Sequence, residues 1–139
     1  MKKWFVLFAA VILFLGLTAC GSNGKDAVID YGESDIYTKS DMDAAIGLIR
    51  KEFASWDGCE LHSIRYTSDE CNSEKNIAWM NDLGDENKEF TQCIAFVSDF
   101  HSPKKGGGAW NPDSEYRNWQ WWLAREDTGN WELMTWGYG

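Results

Sequence analysis

The chain has 139 residues, 22 acidic and 13 basic, so its formal net charge at neutral pH is −9. Such an acidic protein repels phosphate backbones and anionic lipid headgroups, and we therefore expect no nucleic-acid partner. Its length fits one domain with a sizeable core.

The first twenty residues, MKKWFVLFAAVILFLGLTAC, have the three parts of a secretory signal peptide. Lys2 and Lys3 form the positive end, an apolar run follows, and small residues lead to a cysteine. The run is shorter than the roughly 20 residues that a spanning helix needs. Its ending, LTAC, resembles the lipobox of bacterial lipoproteins, which implies cleavage before Cys20 and a diacylglycerol thioether on its sulfur. An uncleaved anchor helix with an incidental cysteine is the alternative.

Three segments follow from this interpretation. Residues 1–19 are the signal peptide, residues 20–34 are a lipidated cysteine with a small, polar tether, and residues 35–139 are a single domain. Cleavage leaves 120 residues and lowers the formal net charge to −11, because both charges removed are lysines. The acyl chains are expected to hold the domain at the extracellular face of the cell membrane.

The strongest helix pattern is YTKSDMDAAIGLIRKEFASWDG, residues 37–58. Apolar residues recur there at three- and four-residue steps and so share one face: Met42, Ala45, Ile46, Ile49, Phe53 and Trp56. Thr38 and Asp41 are expected to form a capping box, and Gly58 is expected to end the helix in the left-handed conformation.

Four strands are predicted after this helix. In CELHSIRYTS, apolar and polar residues alternate imperfectly, which indicates a bulge. EFTQCIAFVSDFHS is apolar on both sides, which is typical of a central strand, and Phe90 and Phe96 are predicted on the same side. NIAWMNDLG, between them, has the pattern of a short helix. WQWWLARE and NWELMTWGY form a predicted hairpin with Gly129 in a left-handed bulge position. Its register places Leu123 opposite Leu133 and Trp121 opposite Thr135.

This order predicts an α+β domain in which one amphipathic N-terminal helix packs on a four-stranded antiparallel meander. It is similar to the order of elements in the cystatin-like and nuclear-transport-factor-2-like folds, which host both enzymes and binding modules. A protease-inhibitor role, suggested by the cystatin-like topology alone, is a further alternative.

Lipidation of Cys20 leaves three cysteines in an exported domain: Cys59, Cys71 and Cys93. Three pairings are possible. We favour a Cys71–Cys93 disulfide, because Cys71 lies in a polar connection that a cross-link would stabilise by about 3 kcal/mol in the chain-entropy account. Cys59 is then a small buried apolar residue.

Five of the nine tryptophans lie in the last 21 residues. Trp119, Trp121 and Trp131 are expected in the core. Trp122 and Trp136 are predicted to share the other side of the hairpin. If the glycine-rich loop PKKGGGAWNPDSEYRN covers that side, they form a second core; if it does not, they form an exposed binding surface with Trp110 as its lid.

Asp99 and His101 lie two residues apart where the second predicted strand meets that loop. We interpret them as hydrogen-bonding groups that pin the loop; with Asp113 they would supply only two or three metal ligands, and we expect no metal or cofactor. The chain has no nucleophile elbow, phosphate loop or Cys-x-x-Cys pair, so we expect no catalytic activity. The alternative is a small pocket enzyme of isomerase type with Asp99 or His101 as its base.

Three segments, DGCELHSIRYTSDE, FVSDFHSPKKGGGAWNPDSEYRNWQWWLAR and WELMTWGYG, resemble a family of uncharacterised small lipoproteins of Gram-positive bacteria, chiefly gut clostridia. The resemblance extends from about Tyr31 to the C-terminus. It implies an anchored extracytoplasmic domain and carries over no catalytic residue. The expected function is a binding or sensory module for a small ligand, a glycan or a peptide, with these candidate ligand contacts: Asp99, His101, Trp110, Trp122 and Trp136.

Overall fold

The computed structural model describes residues 26–107 and 109–138. The predicted signal peptide and Cys20 lie outside the described residues. In chain order the elements are β1 (Val28–Asp30), α1 (Lys39–Phe53), β2 (Glu60–Tyr66), a 3₁₀ turn (Asp69–Asn72), α2 (Glu74–Leu83), β3 (Gln92–His101), β4 (Glu115–Arg125) and β5 (Glu132–Gly137). Neither helix in these ranges has the length and apolar character that a membrane span requires.

The protein is an α+β fold built on one five-stranded sheet with the order β1-β2-β3-β4-β5. β2 to β5 form the predicted antiparallel meander. The sheet is nevertheless mixed, because β1 adds to it parallel to β2. β1 lies in the segment predicted as tether and was missed, since three residues are too few to show a strand period.

The start of α1 is confirmed in detail. The backbone N–H of Asp41 donates to Thr38 Oγ1 at 3.1 Å, and the N–H of Thr38 donates to Asp41 Oδ2 at 2.9 Å, which completes the capping box. The predicted end is wrong. The helix ends at Phe53 with Ala54 as its C-cap, because the N–H groups of the following residues turn back to bond its last carbonyls.

Gly58 lies in the turn that follows α1 rather than at the end of the helix. Its φ of +79° is in the left-handed region that favours glycine. A Cβ at this position would lie 2.8 Å from Cβ of Pro103. Gly58 thus allows the loop after β3 to approach the end of α1.

The main core lies between α1 and one face of the sheet. All five predicted helix positions from Met42 to Phe53 are buried, and they pack with these buried sheet residues: Leu61, Ile64, Ile94, Phe96, Phe100, Trp121 and Leu123. Each fully buried large apolar side chain stabilises the fold by about 1.5–3 kcal/mol. β3 pairs with both β2 and β4, so its predicted central position is confirmed.

A second, smaller cluster lies on the other face of the sheet, beneath α2. It contains the buried residues Met80, Phe90, Cys93 and Ala124. Phe90 was predicted on the same face as Phe96 and lies instead in this cluster. The cause is Asn81, whose side chain accepts from the N–H of Phe90 at 2.7 Å and donates to its carbonyl at 3.0 Å, fixing the chain before β3 begins.

The final hairpin differs from its predicted register over half its length. Leu123 lies opposite Leu133 as predicted, but Trp121 lies opposite Trp136 rather than Thr135. The register shifts because β5 contains an extra residue, Met134, which has no partner in β4.

The turn of this hairpin also differs from its prediction. The residue with positive φ is Thr128, at +54°, and not Gly129. The N–H of Gly129 closes the turn by donating to the carbonyl of Glu126 at 2.6 Å. The predicted left-handed bulge at Gly129 is therefore absent, and the irregularity lies in β5 instead.

The predicted disulfide is not formed, and Cys59, Cys71 and Cys93 are buried free thiols. Cys71 belongs to the main core and Cys93 to the cluster beneath α2. Sγ of Cys71 lies 3.7 Å from both the Tyr66 hydroxyl and the carbonyl oxygen of Cys93.

Candidate functional site

The five candidate ligand contacts do not form one site. Trp110 lies on the α1 side of the sheet, whereas Trp122 lies on the opposite side, where it packs against the cluster beneath α2. Trp136 is directly opposite Trp121 and so its strand position faces the α1 side, contrary to prediction, but at the sheet edge it also lines the depression beside Trp122. Asp99 and His101 lie at the end of β3, next to the loop that follows.

Trp110 is part of an aromatic cluster that extends the main core. Its ring centroid lies 4.9 Å from that of Trp56, 5.2 Å from Phe100 and 5.3 Å from Trp119. The loop that carries Trp110 is thereby held on the α1 side, and no residue of it lines the surface around Trp122. Trp110 therefore closes the core and is not a lid over Trp122.

His101 pins this loop to the sheet. Its Nε2 lies 2.8 Å from Oδ1 of Asp113, and its Nδ1 lies 3.0 Å from Oε1 of Glu115. The other oxygen of Glu115 lies 3.2 Å from Nδ1 of His62. The bonds to Asp113 and then to Glu115 raise the pKa of His101 above its usual value. With both ring nitrogens engaged by carboxylates, His101 is poorly suited to act as a base.

Asp99 is likewise occupied by its neighbours. Its Oδ1 accepts from the N–H of Asn118 at 3.0 Å, and its Oδ2 lies 3.6 Å from Nη1 of Arg65. Asn118 has a φ of +57° and lies where the pairing of β3 with β4 shifts register, so Asp99 stabilises a bulge. Within the described ranges, no three His, Cys, Asp or Glu side chains are arranged to hold a metal ion.

The open surface of the domain lies on the α2 side. Two shallow depressions of about 260 and 210 Å³ adjoin there and share Gln120 and Trp122. We call their combined surface the aromatic groove; its other exposed or half-buried lining side chains include Thr67, Glu70, Asn76, Trp79, Val97, Thr135, Trp136 and Tyr138. Its outer end reaches the edge strand β5.

Two indoles form a corner in the middle of the groove. The rings of Trp79 and Trp122 are 5.1 Å apart and inclined at 70°. Trp79 is 39 % exposed although it lies on a helix that packs on the sheet. Nε1 of Trp122 donates to Oε1 of Gln120 at 2.8 Å, which fixes the indole and leaves the NH₂ group of Gln120 for a ligand. The corner thus offers flat apolar surface beside a polar amide.

The groove carries little charge despite the acidity of the chain. Glu70 is the one charged side chain among its lining residues. Cys71 also lines it, but burial raises the pKa of this thiol and keeps it protonated. The groove is therefore chemically suited to binding and lacks an activated nucleophile or base.

Trp79 is the site residue that sequence reasoning missed. NIAWMNDLG was predicted as a short helix, and Met80 is its buried residue. The sequence did contain a signal: Trp79 is adjacent to Met80, so it lies outside the buried face of this amphipathic helix. Its contact with Trp122 required the packing of α2 on the sheet, which no local pattern specifies.

Comparison with protein-family models, with curated proteins and with solved structures found no match for this chain.

Proposed function

We propose that this chain is a binding or sensory module, anchored by lipid at the extracellular face of the cell membrane, which holds its ligand in the aromatic groove and catalyses no reaction. The observation that carries the proposal is the exposed corner formed by Trp79 and Trp122 beside Gln120. Exposed aromatic surface rimmed by polar groups is typical of interaction sites.

The environment of the groove supports this proposal. Six large apolar side chains of the described residues are exposed, and three of them, Trp79, Trp136 and Tyr138, line the groove together. Trp122 is held by both Trp79 and Gln120, so the corner exists before a ligand arrives. A prearranged site loses less side-chain entropy on binding.

The isomerase-like alternative lacks comparable support. Asp99 and His101 lie outside the groove, and their polar atoms are bonded to Asn118, Asp113 and Glu115. An enzyme of that type needs a base at the bottom of an apolar cavity. The groove offers only Glu70, which is exposed at one end.

Fluorine NMR of protein labelled with 5-fluorotryptophan tests the binding function. Trp79→Phe and Trp122→Phe assign the groove resonances, and Trp131, which is buried, is the reference. A mixed library of small molecules, peptides and oligosaccharides is expected to shift the resonances of Trp79 and Trp122 but not that of Trp131. If no member shifts the two groove resonances, the groove is not a binding site.

The anchor is tested separately. In bacteria that express the full chain, the protein is expected in the membrane fraction with a diacylglyceryl group on Cys20, and Cys20→Ser is expected to release it or leave its signal peptide uncleaved. An unmodified Cys20 in membrane-bound protein would contradict lipid anchoring without affecting the groove.

A further inference from the structure

We propose that the ligand of the aromatic groove is an uncharged oligosaccharide, an inference that rests on the proposed binding function of the same surface. The ring of a pyranose presents C–H groups on its faces and hydroxyl groups around its rim. Its recognition therefore needs flat apolar surface with neutral hydrogen-bonding groups beside it. The groove combines both.

The flat surfaces are the two indoles of the corner. Trp79 comes from α2 and Trp122 from β4, and the 70° angle between their planes lets one ligand contact both. Indoles contribute large contact area and lose little rotamer entropy on binding. A sugar face packed on either indole would leave its hydroxyl groups directed sideways, toward the polar residues.

Those polar residues are uncharged. The oxygen of Gln120 accepts from Trp122, and its NH₂ group donates to no other residue in the described part of the chain. Asn76 donates to the carbonyl of Cys71 at 3.2 Å, which leaves its amide oxygen as an acceptor. Thr135 adds a hydroxyl group in one depression, and the hydroxyl of Thr67 in the other donates to the carbonyl of Ala95 at 3.0 Å and remains an acceptor. Sugar hydroxyls both donate and accept, so this mixture suits them.

The charge of the groove argues against other ligand classes. No lysine or arginine lines it, so a phosphate, a nucleotide or an acidic glycan would find no cation. A basic peptide would find one carboxylate, Glu70, which lines only the depression distant from Trp79 and β5. A neutral ligand is the one that this lining complements throughout.

The shape favours a chain over a compact molecule. The two depressions are shallow and adjoin at Gln120 and Trp122, and the outer one is open at the edge of the sheet near Tyr138, which is 60 % exposed. Compact ligands are usually enclosed by a deeper pocket. An internal stretch of a linear oligosaccharide could cross this surface and leave it at β5.

The test uses protein purified in detergent micelles from bacteria that express the full chain. It is applied to an array of uncharged, acidic and amine-bearing oligosaccharides and to an oligolysine peptide. We expect binding to the uncharged oligosaccharides. Isothermal titration then measures the affinity for the one that binds most tightly. Trp79→Ala and Trp122→Ala are expected to weaken that affinity by about tenfold or more. Gln120→Ala is expected to weaken it several-fold.

Two matched controls sharpen the result. Leu83→Ala changes an exposed apolar residue of the same helix outside the groove and is expected to leave the affinity unchanged. Glu70→Gln removes the one charge and is expected to change the affinity less than twofold. Because Trp122 is half-buried, thermal melting is used to check that each variant is folded. If Trp122→Ala unfolds, the proposal is tested with Trp79→Ala and Gln120→Ala.

Three outcomes would overturn the inference: binding only to acidic or amine-bearing probes, dependence on Glu70, or no binding to any oligosaccharide. If the oligolysine peptide shifts the resonances of Trp79 and Trp122 and no oligosaccharide does, the groove is a binding site for a cationic partner. That result would support the proposed binding function and contradict the proposal of an oligosaccharide ligand. If no probe of any class shifts those resonances, both the binding function and the oligosaccharide ligand are contradicted.

Discussion

The indole of Trp56 stacks on the indole of Trp121, with ring centroids 5.2 Å apart and planes inclined by 21°. Trp56 follows the end of α1, and Trp121 is the largest fully buried side chain, in the middle of β4. The pair therefore joins the helix to the sheet at the point where Trp110 and Trp136 also meet Trp56. These tryptophans differ in role: Trp56, Trp110 and Trp121 pack in or against the main core, and Trp79 and Trp122 form the corner of the groove. Trp136, which is 40 % exposed, contacts Trp56 and also lines the groove.

Alanine substitution should separate the two roles. Trp121→Ala is expected to lower the free energy of unfolding by about 3–5 kcal/mol, because it leaves a cavity against Trp56 and removes the partner of the buried Ser98 hydroxyl. Trp79→Ala removes a partly exposed ring and is expected to cost about 1 kcal/mol. Urea unfolding followed by far-ultraviolet circular dichroism measures both. Equal losses in the two variants would mean that Trp79 is a core residue.

Arg125 holds the start of α1 to the sheet. It is 6 % exposed; its Nη1 lies 3.1 Å from Oδ1 of Asp41, and its guanidinium carbon lies 4.2 Å above the ring of Trp131. Asp41→Asn is expected to lower the free energy of unfolding by about 1–3 kcal/mol, because it weakens both the capping box and a charge-assisted bond.

The same substitution should change the response to acid. The backbone bond from Thr38, followed by the interaction with Arg125, holds the pKa of Asp41 below its usual value. Its contribution to stability is present above the unfolded-state pKa and is lost as the pH falls through the lower, folded-state pKa. Urea midpoints from pH 7 to pH 2.5 should therefore fall less steeply for Asp41→Asn than for the original chain. Parallel curves would contradict this assignment.

Local patterns predicted the parts of the fold that depend on few residues. The capping box at Thr38, the buried face of α1 and the central position of β3 were predicted because helix and strand periods are properties of single segments. The face of Trp136 was not, because it depends on one residue of the same strand, Met134, which has no partner in β4. A shift of one residue moves every following side chain to the other side.

The candidate site was predictable only in part. Trp122 was identified from its position in the hairpin, and it does line the open side of the sheet. Its companion Trp79 comes from α2, 43 positions earlier in the chain. The sequence also did not predict which face of the sheet the glycine-rich loop covers. Trp110 holds this loop on the α1 side through contacts with Trp56, Phe100 and Trp119.

The three buried cysteines should remain thiols. Burial raises the pKa of Cys59 and Cys71 and raises that of Cys93 to about 12, so the reactive thiolate is scarce at neutral pH. Iodoacetamide under native conditions is expected to react slowly with all three. After unfolding without reductant, mass spectrometry should find three added groups in the segment from Asp26 to Gly139. A single added group would instead indicate a disulfide.

The loop after β3 should loosen as the pH rises. The bonds to Asp113 and then to Glu115 raise the pKa of His101, since a neutral ring cannot donate from both nitrogens at once. Its contribution to stability is fully present below the unfolded-state pKa of about 6.5 and is lost as the pH rises through the higher, folded-state pKa. Proton NMR titration of the two histidine rings measures this pKa directly.

The matched variant for this titration is His101→Gln. It is expected to make the fluorine resonance of 5-fluorotryptophan at Trp110 independent of pH between 6 and 9, whereas in the original chain that resonance should follow the titration of His101. Because the side chains are partly exposed, added salt should reduce the effect. A Trp110 resonance that titrates equally in both proteins would show that His101 does not control the loop.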